Sequence, residues 1–213
     1  MIKKIFLLFF LMSPFSNQKV FAKNNSLFFL SWNSEYKAGS QRTLKKIIRK
    51  IKSSHQKPQI IALCQQEATG KKKNGLTLGQ RLTSELPRYQ FLAEEKMKGI
   101  TKLSKGINFT NITVLIKKGF LDKEQLSYVQ KGFVRFDFLK GTKGVSWINL
   151  NYRNKKNKRK NSITLACAHL DASNKKKRTQ GLKKITEELK KISQNVVLAG
   201  DFNYRTIPLK LGL

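Results

Sequence analysis

The sequence predicts one mixed α/β domain with its strands and helices arranged in layers. Three observations carry that prediction. Apolar runs of strand length alternate with segments whose apolar residues recur at helical spacing. The 213 residues suit a single domain of ordinary size with a sizeable core. No internal repeat and no linker rich in Pro, Gly or Ser divides the chain. A hydrophobic fraction of 39% with 10% aromatics excludes a disordered chain, despite a formal net charge of +32.

The first residues read as an export signal rather than as part of the domain. Lys3 and Lys4 precede a wholly apolar run from Ile5 to Met12, and Val20-Phe21-Ala22 presents small residues at spacing two. This is the order of a secretory signal peptide, expected over residues 1–22, with the mature domain over 23–213. The apolar run is too short to span a bilayer permanently; an uncleaved anchor is the alternative. A secreted or periplasmic protein is therefore expected.

Residues 26–32 (SLFFLSW) form an apolar and aromatic run of strand type. Leu44, Ile47, Ile48 and Ile51 fall at i, i+3, i+4 and i+7 and predict a helix, with Lys and Arg on its other face. Residues 59–63 (QIIAL), opened by Pro58, predict a buried strand. Leu78, Leu82 and Leu86 predict a helix stopped by Pro87. Strands are expected at 89–92, 112–116, 133–138, 145–151 and 162–168. Leu182, Ile185, Leu189 and Ile192 predict a further helix, followed by an apolar strand over 196–199.

Lys and Arg number 44 against 12 Asp and Glu. Such an excess self-repels and points to an anionic partner: nucleic acid, an acidic membrane surface or a phosphorylated substrate. Two basic stretches stand out, 151–161 (NYRNKKNKRKN) and 175–178. The first lies between two strands and reads as a solvated hairpin loop, with attraction to an anionic surface as the second reading. Two cysteines exclude a disulfide scaffold and a four-cysteine zinc site. Cys64 and Cys167 each lie in a buried strand and read as free thiols, or as a disulfide if those strands are neighbours.

Four strand ends carry polar groups. Asn33 ends the first strand, Gln65-Gln66-Glu67 follow the second, His169 ends the strand over 163–167, and Gly200-Asp201-Phe202-Asn203 follow the last. Ligand sites gather beyond strand ends in sheets flanked by helices, where loops splay and backbone groups become free. A hard cation such as Mg²⁺ takes oxygen ligands, often one or two carboxylates with water and substrate phosphate. Glu67, assisted by Asn33, supplies such a set. Asp201 suits orienting and deprotonating a water for in-line attack on phosphorus. Asn203 suits holding that water or a phosphate oxygen, and His169 suits stabilising charge on the phosphoryl oxygens. Singly, each has a plainer reading: a solvated loop Glu, a structural His, an Asx-turn at Asp201. Their order along the chain, each at a strand end, favours the shared site.

These segments resemble the endonuclease/exonuclease/phosphatase superfamily, the fold of deoxyribonuclease I. The resemblance rests on Ser31-Trp32-Asn33, Gln66-Glu67, Lys143-Gly144-Val145, Ala168-His169-Leu170-Asp171-Ala172 and Gly200-Asp201-Phe202-Asn203-Tyr204-Arg205. The last of these, with Lys143-Gly144-Val145, is most similar to the inositol polyphosphate 5-phosphatase branch. The resemblance implies a four-layered α/β sandwich, two β-sheets with outer helices, and Mg²⁺- or Mn²⁺-dependent cleavage of phosphate esters. It implies Asn33 and Glu67 as metal-site residues, His169 as a contact to the scissile phosphate, and Asp201 and Asn203 as the pair that activates and positions water. Lys143, Tyr204 and Arg205 then fall beside the substrate phosphate, where an arginine fork fits paired oxygens. The plainer readings are a turn lysine and a loop salt bridge.

One departure qualifies the resemblance. Members continue past Gly-Asp-x-Asn with further strands and a closing Ser-Asp-His, whereas this sequence ends at Leu213. The expectation is a domain incomplete at its C-terminus and weakly active or inactive alone. Three functional readings follow. They are an exported phosphatase of inositol polyphosphates or phosphoinositides that meets an anionic membrane, a secreted nuclease of the same superfamily, and a non-catalytic anion-binding remnant.

Overall fold

The computed structural model describes residues 16–22, 25–33, 41–53, 57–69, 78–100, 107–136, 143–158, 160–171 and 173–203. In chain order these form β1 (Ser16–Ala22), β2 (Asn25–Asn33), α1 (Gln41–Ser53), β3 (Ile60–Thr69), α2 (Leu78–Glu85), β4 (Tyr89–Ile100) and β5 (Ile107–Lys117). There follow α3 (Lys118–Lys123), β6 (Glu124–Arg135), β7 (Gly144–Asn154), β8 (Lys160–His169), α4 (Lys175–Ile192) and β9 (Val196–Asp201). The strands make a five-stranded sheet, β1-β2-β3-β5-β4, and a four-stranded sheet, β6-β7-β8-β9. Both sheets are mixed: β2 runs parallel to β3 and β8 parallel to β9, while the other pairs are antiparallel.

The period of two along each strand sorts the core into three apolar layers. On β3, Ile60, Ala62 and Cys64 face the other sheet, where Ile148, Leu150, Leu165, Cys167 and Ala199 meet them. Ile61 and Leu63 face outward to Leu44, Ile47, Ile48 and Ile51 of α1 and to Leu82 of α2. On the far side, Ala166, Ala168 and Leu198 pack against Ile185 and Leu189 of α4. The order helix, sheet, sheet, helix is the four-layered sandwich that the sequence implied.

Several elements are longer than their apolar runs. β4 continues through Glu94 and Lys96 because its polar residues find partners on β5 and along the strand itself. Glu94 Oε1 accepts from Asn111 Nδ2 at 2.9 Å and Thr113 Oγ1 at 3.2 Å, and Lys96 Nζ lies 2.8 Å from Glu94 Oε2. Of the strand expected at 133–138, residues 133–135 are the end of β6, which begins at Glu124, and 137–138 lie outside the described residues; Leu126 and Val129 pack on the central layer. α3 was not expected, since six residues are too few for a periodic signal. The basic stretch at 175–178 is the first turn of α4.

The cysteines are a correction. Cys64 and Cys167 are joined as a disulfide rather than free. The bond runs between facing strands of the two sheets, an arrangement that in-sheet adjacency does not anticipate.

β1 lies within the segment expected as a leader and forms one edge of the first sheet, paired with β2 from Ser16↔Ser31 to Ala22↔Asn25. Loss of residues 1–22 would make β2 that edge. Among the described residues no helix is long and apolar enough to cross a membrane.

Candidate active site

Two sets of contacts across the sandwich fix how the sheets are oriented. At one end Phe120, just past β5, meets Tyr152 of β7 edge-on at 5.5 Å. Ile116 at the end of β5 pairs with Ile60 at the start of β3, and Tyr152 pairs with Asn161 near the start of β8. At the other end Ser146 Oγ donates to Thr110 O at 2.6 Å, and Gly144, which pairs with His169, packs on Met97, which pairs with Thr110. Thr110 lies opposite the β3 irregularity between Gln65 and Ala68. β3 and β8 therefore run the same way, and their C-terminal ends emerge at one end of the sandwich, with their parallel partners β2 and β9 beside them.

That end collects the predicted residues. His169 and Asp201 are register partners at the tips of β8 and β9. By the period of two they fall on the same face as Cys167 and Ala199, toward the other sheet, and both are buried. Leu170 N donates to Asp201 O at 2.8 Å, and Asn203 Nδ2 donates to Leu170 O at 2.7 Å, so the two strand ends are tied just beyond the pair. Asp201 Oδ1 accepts from Asn203 N at 2.9 Å, the Asx-turn of the plainer reading, and this bond fixes the carboxylate. An ionised carboxylate offers about four acceptor sites.

Lys143 completes the group. Its Nζ lies 2.5 Å from His169 Nε2. An ammonium has donors only, so Nε2 accepts and the ring proton belongs on Nδ1. Gly144 sets this geometry: at φ +154° its backbone passes so close to Val134 O, 2.2 Å from a notional Cβ, that no side chain fits. Gly200 is the counterpart ahead of Asp201, at φ +148° with a notional Cβ 2.0 Å from Ala168 O.

Asn33 and Glu67 are described through their backbone. Asn33 is the last residue of β2 and pairs with Gln66, so it sits one register step from Glu67 on the adjacent parallel strand. An amide and a carboxylate on neighbouring strand ends are oxygen donors of the sparse kind that Mg²⁺ takes with water and phosphate. Among the described residues no three His, Cys, Asp or Glu side chains gather as a metal cluster. Tyr204 and Arg205 lie outside the described residues.

The residue before Glu67 belongs to the site's support. Gln66 is buried, and its Nε2 lies 2.7 Å from Cys64 Sγ, 3.4 Å from Cys167 Sγ and 3.2 Å from Ser31 Oγ. It seats the end of β3 on the disulfide. Asp171, just past His169, builds the loop into α4: its Oδ1 accepts from Ser173 N at 2.9 Å, Ser173 Oγ at 3.0 Å and Asn174 N at 2.7 Å. Partial burial pushes its carboxyl up, but these bonds and Lys177 outweigh that and hold it below the usual carboxylate range.

Comparison with known proteins decides the lineage. Residues 30–208 match the family described as Endonuclease/Exonuclease/phosphatase family 2. The chain belongs to that family. Phosphate-ester hydrolysis with a divalent metal is common chemistry among endonuclease/exonuclease/phosphatase proteins. No curated protein matches the chain at a significant level.

Solved structures share the fold. The catalytic domain of human nocturnin, with a bound sulfate anion, aligns at a TM-score of 0.55 and 16% identity, over 89% of this chain and 68% of that one. An endonuclease/exonuclease/phosphatase family protein from Bacteroides thetaiotaomicron aligns at 0.50 and 15%, over 88% and 65%. The inositol polyphosphate 5-phosphatase domain of SPsynaptojanin, in complex with inositol (1,4)-bisphosphate and calcium ion, aligns at 0.54 and 17%, over 90% and 54%. The chain thus spans between 54% and 68% of the length of these relatives.

Proposed function

We propose that the chain is an exported, divalent-metal-dependent phosphoesterase that hydrolyses a phosphate monoester of an inositol polyphosphate or phosphoinositide. The supporting observation is the pairing of His169 with Asp201 on the inner face, with the Lys143 ammonium on the imidazole. A carboxylate and an imidazole at parallel strand ends, with an ammonium beside them, suit in-line attack of water on a phosphoryl group. Asp201, fixed by Asn203 N, takes the proton from the attacking water. Lys143 donates to a phosphoryl oxygen as charge gathers there, and His169 donates through Nδ1–H. With its Nδ2 engaged by Leu170 O, Asn203 holds the water through Oδ1. Asn33 and Glu67 are the residues to hold Mg²⁺ or Mn²⁺, which would lower the charge of the phosphate facing them. Tyr204 and Arg205 complete the phosphate contacts.

The phosphatase reading rests on the Gly-Asp-Phe-Asn-Tyr-Arg sequence, and export rests on residues 1–22. The net charge of +32 favours a second reading, a secreted nuclease gripping a phosphate backbone. One experiment separates the two and tests both. Purified protein with Mg²⁺ is assayed for inorganic phosphate released from inositol trisphosphate and for nicking of plasmid DNA, each with and without EDTA. We expect EDTA-sensitive phosphate release, lowered about 10²–10⁴-fold in Asp201→Asn. Nicking without phosphate release selects the nuclease. Asp201→Asn turning over at the wild-type rate would remove Asp201 from the chemistry.

A further inference from the structure

The disulfide lies directly beneath the candidate site. Cys64 stands three residues before Glu67 on β3, and Cys167 stands two before His169 on β8. The bond thus ties together the two sheets whose strand ends carry the site. Both cysteines are fully buried. Two side chains donate to the sulfur. Gln66 Nε2 lies 2.7 Å from Cys64 Sγ and 3.4 Å from Cys167 Sγ, and Ser31 Oγ donates to Cys64 Sγ at 3.4 Å. Gln66 immediately precedes Glu67, and Ser31 comes two before Asn33.

This setting differs from that of an inert cross-link. A disulfide sulfur is a weak acceptor, whereas a thiolate carries a full charge that hydrogen-bond donors stabilise. Donors held on Cys64 Sγ in a dry interior therefore favour the reduced form, and stabilising the reduced form makes a disulfide easier to reduce. They also select the sulfur that leaves, which is that of Cys64. Reduction has a geometric consequence as well. Bonded sulfurs sit about 2 Å apart, while unbonded heavy atoms need about 3.5 Å or more. In a closely packed core that room comes at the expense of the strand ends. A misplacement of about 1 Å between catalytic groups costs about 10²-fold in rate.

We propose that the Cys64–Cys167 bond is a redox switch on the site, which is assembled in the disulfide form and slack in the dithiol form. The switch rests on the phosphoesterase reading for its effect on turnover, and on the sulfur environment alone for its redox behaviour. A thiol such as glutathione attacks Cys167 Sγ, and Cys64 leaves as a thiolate received by Gln66 and Ser31. A second glutathione displaces the first, which releases oxidised glutathione, and the two glutathione protons end on the cysteines. In the reverse reaction the two thiols give two electrons and two protons to a disulfide oxidant, and the site is assembled.

The test equilibrates the full chain in glutathione buffers of graded ratio and counts the bond by thiol alkylation and mass. Far-UV circular dichroism then reports the fold. After removal of glutathione, calorimetry gives the affinity for Mn²⁺ and p-nitrophenyl phosphate the turnover. The bond should open reversibly with the far-UV spectrum kept. The reduced protein should bind Mn²⁺ about tenfold more weakly and turn over about 10²-fold more slowly. Cys64→Ser/Cys167→Ser should match the reduced protein at every glutathione ratio. Gln66→Met removes the main donor and should shift the balance toward the disulfide about tenfold, which a purely structural role would not do. Ser31→Ala should shift it the same way. The switch is overturned by a bond that stays closed in excess reduced glutathione, or by one whose opening unfolds the protein. Equal Mn²⁺ affinity and turnover in the two forms also overturns it, as does an unshifted balance in Gln66→Met. Opening that weakens Mn²⁺ binding, with no turnover in either form, retains the switch and removes the phosphoesterase.

Discussion

Gly200 shows how far a single residue constrains this site. It precedes Asp201 and pairs with Ala168, one step before His169, so its backbone sets the distance between the two functional side chains. A methyl group there meets the Ala168 backbone at 2.0 Å in a region of φ that other residues rarely adopt. Gly200→Ala should therefore destabilise the protein by about 2–4 kcal/mol, read as a lower urea midpoint. It should also depress turnover in whatever fraction remains folded. At this scale the sequence was informative about identity and silent about support. His169, Asp201 and Asn203 stood out because polar residues followed apolar runs. Gln66 did not, because a glutamine that seats a strand on a disulfide looks like any other until the facing sheet is known.

Among the elements, the helical layer over the first sheet responds to alkali through Tyr89. This residue opens β4, packs with Leu44, Leu82 and Leu86, and donates its hydroxyl to Pro58 O at 2.9 Å. Burial, partly offset by Arg88, pushes its phenol from 10.0 up to about 12. A raised folded-state value means stability that is complete below the unfolded value and is lost as pH rises toward the folded one. The window is therefore pH 10 to about 12. Chemical denaturation across that window should show the wild type losing stability relative to Tyr89→Phe. At neutral pH Tyr89→Phe should be the less stable protein, by about 1 kcal/mol, because Pro58 O loses its partner. Element boundaries were legible where burial is two-sided, as in 60–63 of β3, and obscure where one face is polar. The outer stretch of β4 carries charges that only cross-strand partners such as Asn111 or Thr113 make intelligible.

For the whole molecule, the Cys64–Cys167 bond joins the two sheets two residues before His169 and three before Glu67. It closes a loop with a sequence separation of 103, for which chain-entropy arguments give about 4–5 kcal/mol. Reduction with dithiothreitol should lower the thermal midpoint by about 10 °C. A Cys64→Ala/Cys167→Ala protein should start near that lower midpoint and ignore the reductant. The layered sandwich was legible from the alternation of runs and the strand-end motifs, whereas this link was not, since sequence gives no sign of which strands face each other. The bond also imposes an order on biosynthesis. Its first sulfur leaves the ribosome long before its second, so the amino-terminal sheet must wait, with its inner face uncovered, until the eighth strand has been made and an oxidant is at hand. Production in a reducing cytoplasm would yield polypeptide of the right mass whose halves are held by packing alone.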